Sequence, residues 1–411
     1  MYVSAYMRTH IILEREREME GGDAKGSVCV TGGTGYVASW LIMKLLEHGY
    51  RVRTTVRSHN PDSKKDLSYL TDLPGASEKL QIFNADLAQP DSFDEAIQGC
   101  IGVFHVAHPL DFEDKEPEEV KTQRAINATL GILKACLKSK TIKRVIYTSS
   151  ASTIMFNEKG LDVLDESHWS DVDFIRSLNP YGASYMISKT LTEKAALEFA
   201  EKHGLDLITV IPSLINGPFI CPRVPSSVDT AMVMMHGKKD KYSSLAKLQM
   251  VHIDDVASAH IFLFEYPDAK GRYLCLAVDL TIDKLFEFLS AKYPECPIPT
   301  PEFPSKKLNV PHVVICPQRS CWILGSSISM ALKKCTMEQF NAAKRRVFSR
   351  QYWYSVSLAL ATFGFRDNRQ RRERERREEK RREEEERRRR KDGEKEEEEK
   401  KTVMAEEEDR R

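Results

Sequence analysis

The chain has 411 residues, with 62 lysines and arginines set against 61 aspartates and glutamates. Residues 366–411 alone hold 20 basic and 19 acidic side chains, so the first 365 residues carry 42 of each sign. So neutral a body lacks the clustered positive face that nucleic-acid binding needs, and no apolar run reaches the ~18 residues that span a bilayer.

Residues 1–25 are polar and patternless, and are expected to form a disordered extension. Their short apolar stretch runs into Glu14-Arg15-Glu16-Arg17-Glu18 and does not build the apolar core of a signal peptide. Nine cysteines are scattered along the chain without a CxxC pair, and none stands at metal spacing from a histidine. The sequence reads as a reduced, cytoplasmic protein with no metal site.

From residue 26 the pattern alternates strands and helices. Ser27–Thr31 is a β-branched run that enters Gly32-Gly33-Thr34-Gly35, after which Trp40–Leu46 follow with helical spacing. Arg51–Arg57, Leu80–Asn84, Gly102–Val106, Val145–Ser149 and Leu207–Ile211 are further strands, with helices between them, notably over 117–138 and 180–203. Strands alternating with helices predict an α/β fold: a doubly wound parallel (Rossmann) sheet, with a smaller C-terminal substrate lobe. Ligands of such sheets sit outside the carboxyl ends of the strands.

The residues at those ends carry the chemistry. Gly32 permits a tight turn, Gly35 lets backbone N–H groups approach a pyrophosphate at a helix N-terminus, and Ala38 allows close helix–strand packing. The second strand ends in Arg57, with Lys64 and Lys65 close behind and no acid at the strand end. A guanidinium there binds a ribose 2′-phosphate, which a carboxylate would repel, so the expected cofactor is NADPH. Asp86-Leu87 follows the third strand; Asp86 either accepts from an adenine amino group or caps the next helix. Tyr185 and Lys189 share one helix face at i, i+4, where a cation lowers a phenol's pKa and prepares it to donate a proton. Ser150, at the end of the fifth strand, can hydrogen-bond the carbonyl that accepts that proton. No GxSxG elbow is present, so these three do not form a hydrolase triad. His105 and His108 are read as cleft-wall residues.

The segments TGGTGYVASW, GVFHVAHPLDF, VIYTSSAS, LDESHWSDVDF, YMISKT and MVHIDDVASAH, in this order, resemble the extended short-chain dehydrogenase/reductase superfamily, and within it the plant dihydroflavonol 4-reductase group. The likeness covers about residues 19–300. It implies NADPH-dependent reduction of a flavonoid ketone, a small phenolic partner. By position it implies a catalytic set of Ser150, Tyr185 and Lys189. The cofactor contacts it implies are Gly32, Gly33, Thr34, Gly35, Tyr36, Arg57, Lys65 (Lys64 if a short insertion falls elsewhere), Asp86, Leu87, Val106, Ala107, His108, Tyr185, Lys189, Pro212, Ser213, Leu214, Ile215 and Ser227. It implies substrate contacts at Ser150, Met155 and Gln249.

Three departures from the group are visible. Met155 stands where the group has Asn or a similar residue facing the substrate's B-ring hydroxyls, which favours a less hydroxylated or different substrate. Met19 matches the group's usual start, and after about residue 305 the group's final helices are not recognisable.

The expected organisation is therefore an N-terminal extension over 1–25, an NADP-binding reductase domain over 26–305 with its substrate lobe mainly after 212, a divergent segment over 306–365, and a charged tail over 366–411. The tail pairs opposite charges three or four apart without an apolar stripe, which predicts a solvated helix or disorder rather than a coiled coil. Two alternatives stay open at this point: an NAD-dependent epimerase or dehydratase of the same superfamily, against which Arg57 speaks, and a catalytically silent NADP-binding homologue.

Overall fold

Runs of β-branched and aliphatic residues form strands where a sheet can cover both of their faces. In a computed structural model, which describes residues 25–57, 66–109, 116–158, 163–231, 247–292 and 314–315, the strands are β1 (Ser27–Val30), β2 (Arg51–Val56), β3 (Leu80–Asn84), β4 (Gly102–His105), β5 (Arg144–Thr148), β6 (Val163–Leu164), β7 (Leu207–Pro212), β8 (Leu214–Asn216), β9 (Lys247–His252), β10 (Gly271–Cys275), β11 (Val278–Thr281) and β12 (Val314–Ile315). The main helices are α1 (Tyr36–Glu47), α2 (Glu118–Ser139), α3 (Val172–Leu178), α4 (Ala183–His203), α5 (Ser226–Ala231), α6 (Ile253–Glu265) and α7 (Ile282–Lys292), with single helical turns between some of them.

Seven strands make one sheet in the order β3-β2-β1-β4-β5-β7-β10, and every neighbouring pair is parallel. The doubly wound sheet expected from the sequence is thus present. Successive residues of a strand face opposite sides, so β1 feeds two cores. Val28 and Val30 join Leu41 and Leu45 of α1 and Val256 and Ile261 of α6, while Cys29 joins Ile132 and Leu133 of α2 and Ala196 and Ala200 of α4. Each fully buried aliphatic side chain contributes about 1.5–3 kcal/mol, which anchors the helices on both faces.

From β1 the chain runs one way to β2 and β3, and later the other way to β4, β5 and β7. The crevice at this reversal, beside the carboxyl ends of β1 and β4, is where such sheets hold ligands. A smaller sheet follows Pro212: β8 runs parallel to β9, and β9 antiparallel to β11.

Element ends differ from the sequence reading for local reasons. The helix expected from residue 180 begins at Ala183, because Asn179 (φ 41°) and Gly182 (φ 79°) both turn left-handed and break the chain path before it. Gly204, at φ 65°, ends the same helix. β10 was not anticipated: its sequence, GRYLC, places an arginine in mid-strand, and that arginine has a specific buried partner described below.

Candidate active site

The turn between β1 and α1 is built on its glycines. The Gly32 N–H donates to Thr55 Oγ1 (3.1 Å), the Gly33 N–H to the Thr55 carbonyl (2.8 Å), and the Gly35 N–H to the Gly32 carbonyl (2.9 Å). Gly32 sits at φ 75°, and a Cβ there would crowd Ala107. A Cβ on Gly33 would overlap Thr54 Oγ1. Gly35 differs: at φ −80° it suits any residue, and an added Cβ would meet only the Gly32 carbonyl, at 3.3 Å. No described side chain caps α1, and its first turn holds no acid. The first N–H groups of α1 are therefore not capped by a side chain, a donor set of the kind that matches a phosphate. Ala38 is fully buried, as close packing of α1 on the sheet requires.

A hydroxyl–imidazole chain joins this turn to the tip of β4. Thr31 Oγ1 accepts from the N–H groups of Val106 (3.1 Å) and Ala107 (3.0 Å). Its own proton is left for His105 Nδ1, 3.0 Å away, and His105 Nε2 lies 3.1 Å from Thr129 Oγ1. Burial lowers the His105 pKa to about 3, so the ring is neutral and this assignment of its protons is self-consistent. His105 is therefore a core residue that fixes the cleft floor, not the cleft-wall residue expected from the sequence. His108 takes that place: it stands edge-on to the Tyr185 ring, with centroids 5.7 Å apart, and its Nε2 is buried without a hydrogen-bond partner.

Ser150, Tyr185 and Lys189 come together at the carboxyl end of β5. Ser150 stands two residues beyond the last residue of the strand, and its side chain hydrogen-bonds that of Tyr185. Ser150 Oγ also accepts from Ser152 Oγ at 3.0 Å and from the Ser152 N–H at 3.3 Å, which orients it. Lys189, 4% exposed, donates to the Thr148 carbonyl at 2.9 Å and stands over the Tyr147 ring. Thr148 is held from its other side, since His260 Nδ1 donates to the Val256 carbonyl (2.7 Å), leaving Nε2 to accept from Thr148 Oγ1 (2.8 Å).

The electrostatics correct one expectation. Lys189 was expected to lower the Tyr185 pKa; here burial raises it, and only the Ser150 hydrogen bond acts the other way. The ammonium of Lys189 is turned toward Thr148, and burial lowers its own pKa to about 7, against which the Glu193 carboxylate works. A raised pKa keeps Tyr185 a phenol at neutral pH. Such a group gives its proton to an oxygen that is becoming an alkoxide, a far stronger base than phenolate.

The remaining predicted residues divide. Arg57 is exposed, immediately after β2. Asp86 accepts from the Ala88 N–H at 3.0 Å, which makes it a turn-former at the end of β3, and Leu87 packs on the core beneath. Ser213 is buried with Oγ unpartnered, and its N–H donates to Cys275. Pro212 ends β7, Leu214 and Ile215 lie on β8, and Ser227 is half-buried on α5. Met155 packs among Ile154, Leu164 and Phe156, while Gln249 is 5% exposed with neither amide atom hydrogen-bonded. Lys65, its alternative Lys64, and the charged tail lie outside the described residues. Among the described residues there is no cluster of three metal-ligating side chains, and no helix is long and apolar enough to cross a membrane. The sequence reading missed the buried Glu193 and Arg272. Their signal was a charge placed among apolar positions, Glu193 four residues beyond Lys189 on the same helix face and Arg272 in mid-strand.

The sheet order and the glycine turn at its reversal define a dinucleotide-binding fold, and the serine, the tyrosine and the lysine stand together at the carboxyl end of β5. The chain belongs to the NAD dependent epimerase/dehydratase family, whose pattern matches residues 28–275, and it is a reductase of the short-chain dehydrogenase/reductase superfamily. It is 55% identical over 278 residues to vestitone reductase of Medicago sativa, an alignment that covers 68% of this chain and 85% of that one. It is 49% identical over 279 residues to the bifunctional dihydroflavonol 4-reductase/flavanone 4-reductase of Malus domestica, covering 68% and 80%. The crystal structure of alfalfa vestitone reductase superposes with a TM-score of 0.60 at 52% identity, covering 67% of this chain and 84% of that one. Gre2 from Candida albicans, solved with NADPH, superposes with a TM-score of 0.62 at 26% identity, covering 73% and 93%. The cofactor class of these proteins is NAD(P), and the cradle over Gly35 fits it.

Proposed function

We propose that the chain uses NADPH to reduce a ketone of a flavonoid or related phenolic small molecule, with Ser150, Tyr185 and Lys189 as its catalytic set. The observation that carries this reading is the Ser150–Tyr185 hydrogen bond at the end of β5, with Lys189 one helical turn further on. The names of the relatives, vestitone reductase and dihydroflavonol 4-reductase/flavanone 4-reductase, support a flavonoid carbonyl as the target.

The start of α1 with Gly32, Gly33, Thr34, Gly35 and Tyr36 would hold the pyrophosphate. Arg57 would pair with a 2′-phosphate, which supports NADPH over NADH. Val106, Ala107 and His108, Pro212 to Ile215, Ser227, and Asp86 with Leu87 would line the rest of the dinucleotide. Bound there, NADPH supplies the hydride. Ser150 and Tyr185 hold the carbonyl oxygen between their hydroxyls, and Tyr185 donates its phenolic proton to that oxygen as negative charge develops. Lys189 stands by as the buried cation of the pair. Met155 and Gln249 would meet the substrate rings; Met155 offers an apolar contact and Gln249 an amide with both atoms available.

A panel of flavanonols and isoflavanones, followed by loss of the reduced cofactor's absorbance, tests the reading. Turnover is expected with NADPH, and Tyr185→Phe should lower kcat about 10³-fold while NADPH affinity stays within about twofold. Equal or tighter binding of NADH would overturn the cofactor assignment. Wild-type rates in Tyr185→Phe would overturn the catalytic set.

A further inference from the structure

A buried charged cluster lies directly behind the cleft. Glu193, on α4, is fully buried, and its Oε2 accepts from Ser149 Oγ at 2.5 Å, one residue before Ser150. Its Oε1 lies 2.8 Å from Nε of Arg272, which is 8% exposed on β10. The Arg272 guanidinium does more than neutralise this carboxylate. One terminal nitrogen donates to the carbonyls of Glu166 (2.8 Å) and His168 (2.7 Å), and the other to Thr153 Oγ1 (3.2 Å). Its face lies 3.6 Å from the centre of the Trp169 ring.

The segments it touches are themselves joined. Thr153 Oγ1 donates to the Ser150 carbonyl at 2.9 Å, Ser170 Oγ donates to the Ser152 carbonyl at 2.7 Å, and the Ser170 N–H donates to the Thr153 carbonyl at 2.7 Å. The turn that carries Ser150 and Met155 and the 165–170 segment therefore form one piece. A single planar fork fastens that piece to α4, the helix of Tyr185 and Lys189. Only arginine offers enough donors in fixed directions to do this.

We propose that Glu193 and Arg272 are positioning residues: Glu193 sets the Ser149–Ser150 strand tip against the catalytic helix and keeps a negative charge behind Lys189, and Arg272 locks the 150–155 turn and the 165–170 segment to that pair. This rests on the reading of Ser150, Tyr185 and Lys189 given above. Both residues act through others, because neither borders the cleft. The groups that face Lys189 are Glu193 and Tyr185 on its own helix, His105 and His108 from β4 and its following loop, and Tyr147 and the Thr148 carbonyl from β5. Glu193 is the one carboxylate among them, and the two imidazoles are neutral.

Two substitutions separate positioning from mere stability. Glu193→Gln keeps the shape but removes the charge; its amide oxygen can accept from Arg272 while its NH2 donates to Ser149 Oγ. With Lys189 then less favoured as ammonium, the high-pH limb of kcat should move down by about one pH unit. Arg272→Lys keeps the charge but loses the fork. The ketone KM should rise about fivefold or more while the NADPH Kd stays within about twofold, the Kd also reporting an intact fold. Amide hydrogen exchange gives a readout that needs no substrate: Arg272→Lys should speed exchange in 150–157 and 165–171 about tenfold while leaving 27–56 unchanged. Lower melting temperatures with an unmoved pH limb, an unmoved KM and unchanged local exchange would overturn the proposal. If wild type reduces no ketone, the proposed function fails, and the exchange experiment still decides the clamp.

Discussion

The ammonium nitrogen of Lys189 lies 2.9 Å from the carbonyl oxygen of Thr148, so a buried cation on α4 is tied to the last peptide of β5. Burial lowers the Lys189 pKa to about 7, below its ordinary value. For a base shifted in this direction, stability is complete above the unfolded pKa and is lost as pH falls toward 7. Lys189→Met should therefore be more stable than wild type by on the order of 2 kcal/mol at pH 7, even after the Thr148 carbonyl loses its donor, and the difference should vanish near pH 10. Turnover should fall about 10³-fold. Urea unfolding of both proteins at the two pH values, read beside kcat, checks both halves; a variant less stable than wild type at pH 7 contradicts the argument.

The two inner glycines of the β1–α1 turn should fail differently. Gly33→Ala pushes a methyl into Thr54 and should cost about 1–3 kcal/mol of stability. Gly35→Ala meets only one carbonyl, so the fold should keep its melting temperature within a few degrees. Its methyl would project into the phosphate cradle, and NADPH affinity should fall about tenfold or more. Calorimetry and a cofactor titration on each variant distinguish them. Equal loss of binding and of stability in both would mean that the turn is not divided in this way.

The buried imidazoles predict acid sensitivity. His105, lowered to about 3, and His260, lowered to about 4, are neutral in the fold. Their contribution is present above the ordinary histidine range and is lost as pH falls through 6.5 toward 4, at about 1.4 kcal/mol per pH unit for each. Asp255 opposes one of them over the same range. His108 and His252 are shifted in the same direction as the first two, so the loss should exceed about 1.4 kcal/mol per unit. Denaturant midpoints at pH 7, 6 and 5 would test this, and a flat profile would refute it.

Asp255 supplies the converse case. Burial, aided by Asp254, raises its pKa to about 7. An acid shifted upward stabilises the fold at low pH, and that stability is lost as pH rises through 7. Asp255→Asn should gain about 2–4 kcal/mol at pH 8 and nothing at pH 4. A gain of equal size at both values would show that ionisation is not the cause.

The sheet was largely legible in the sequence, because its central strands are buried on both faces and so are dominated by apolar residues, as in Val145–Tyr147 and in Leu207–Ile211, which only Thr209 interrupts. Strand ends differed by a residue or so, since hydropathy continues past the last paired peptide. The glycine turn, Ser150, Tyr185 and Lys189 were legible from residue type and spacing. β10 was not, because Arg272 interrupts its pattern and its partner Glu193 lies 79 positions away. His105 was misplaced for a similar reason: read with His108 as a cleft-wall residue, it lies on the last residue of β4 and points into the core, while His108, beyond the strand end, stands against Tyr185. The direction of the Tyr185 shift also depended on where the lysine's nitrogen points, which i, i+4 spacing does not specify.

The outermost strand of the large sheet is also the last of the seven in the chain, and it brings the cation that Glu193 needs. As the polypeptide emerges from the ribosome, six strands can assemble before residue 271 exists, with the carboxylate of Glu193 on α4 left uncompensated. An unpaired buried charge costs several kcal/mol, so this intermediate should stay loose and attract chaperones. Arrival of the final strand then closes the interior and orders the serine tip in a single event, so a chain halted short of it would be unstable as well as inert.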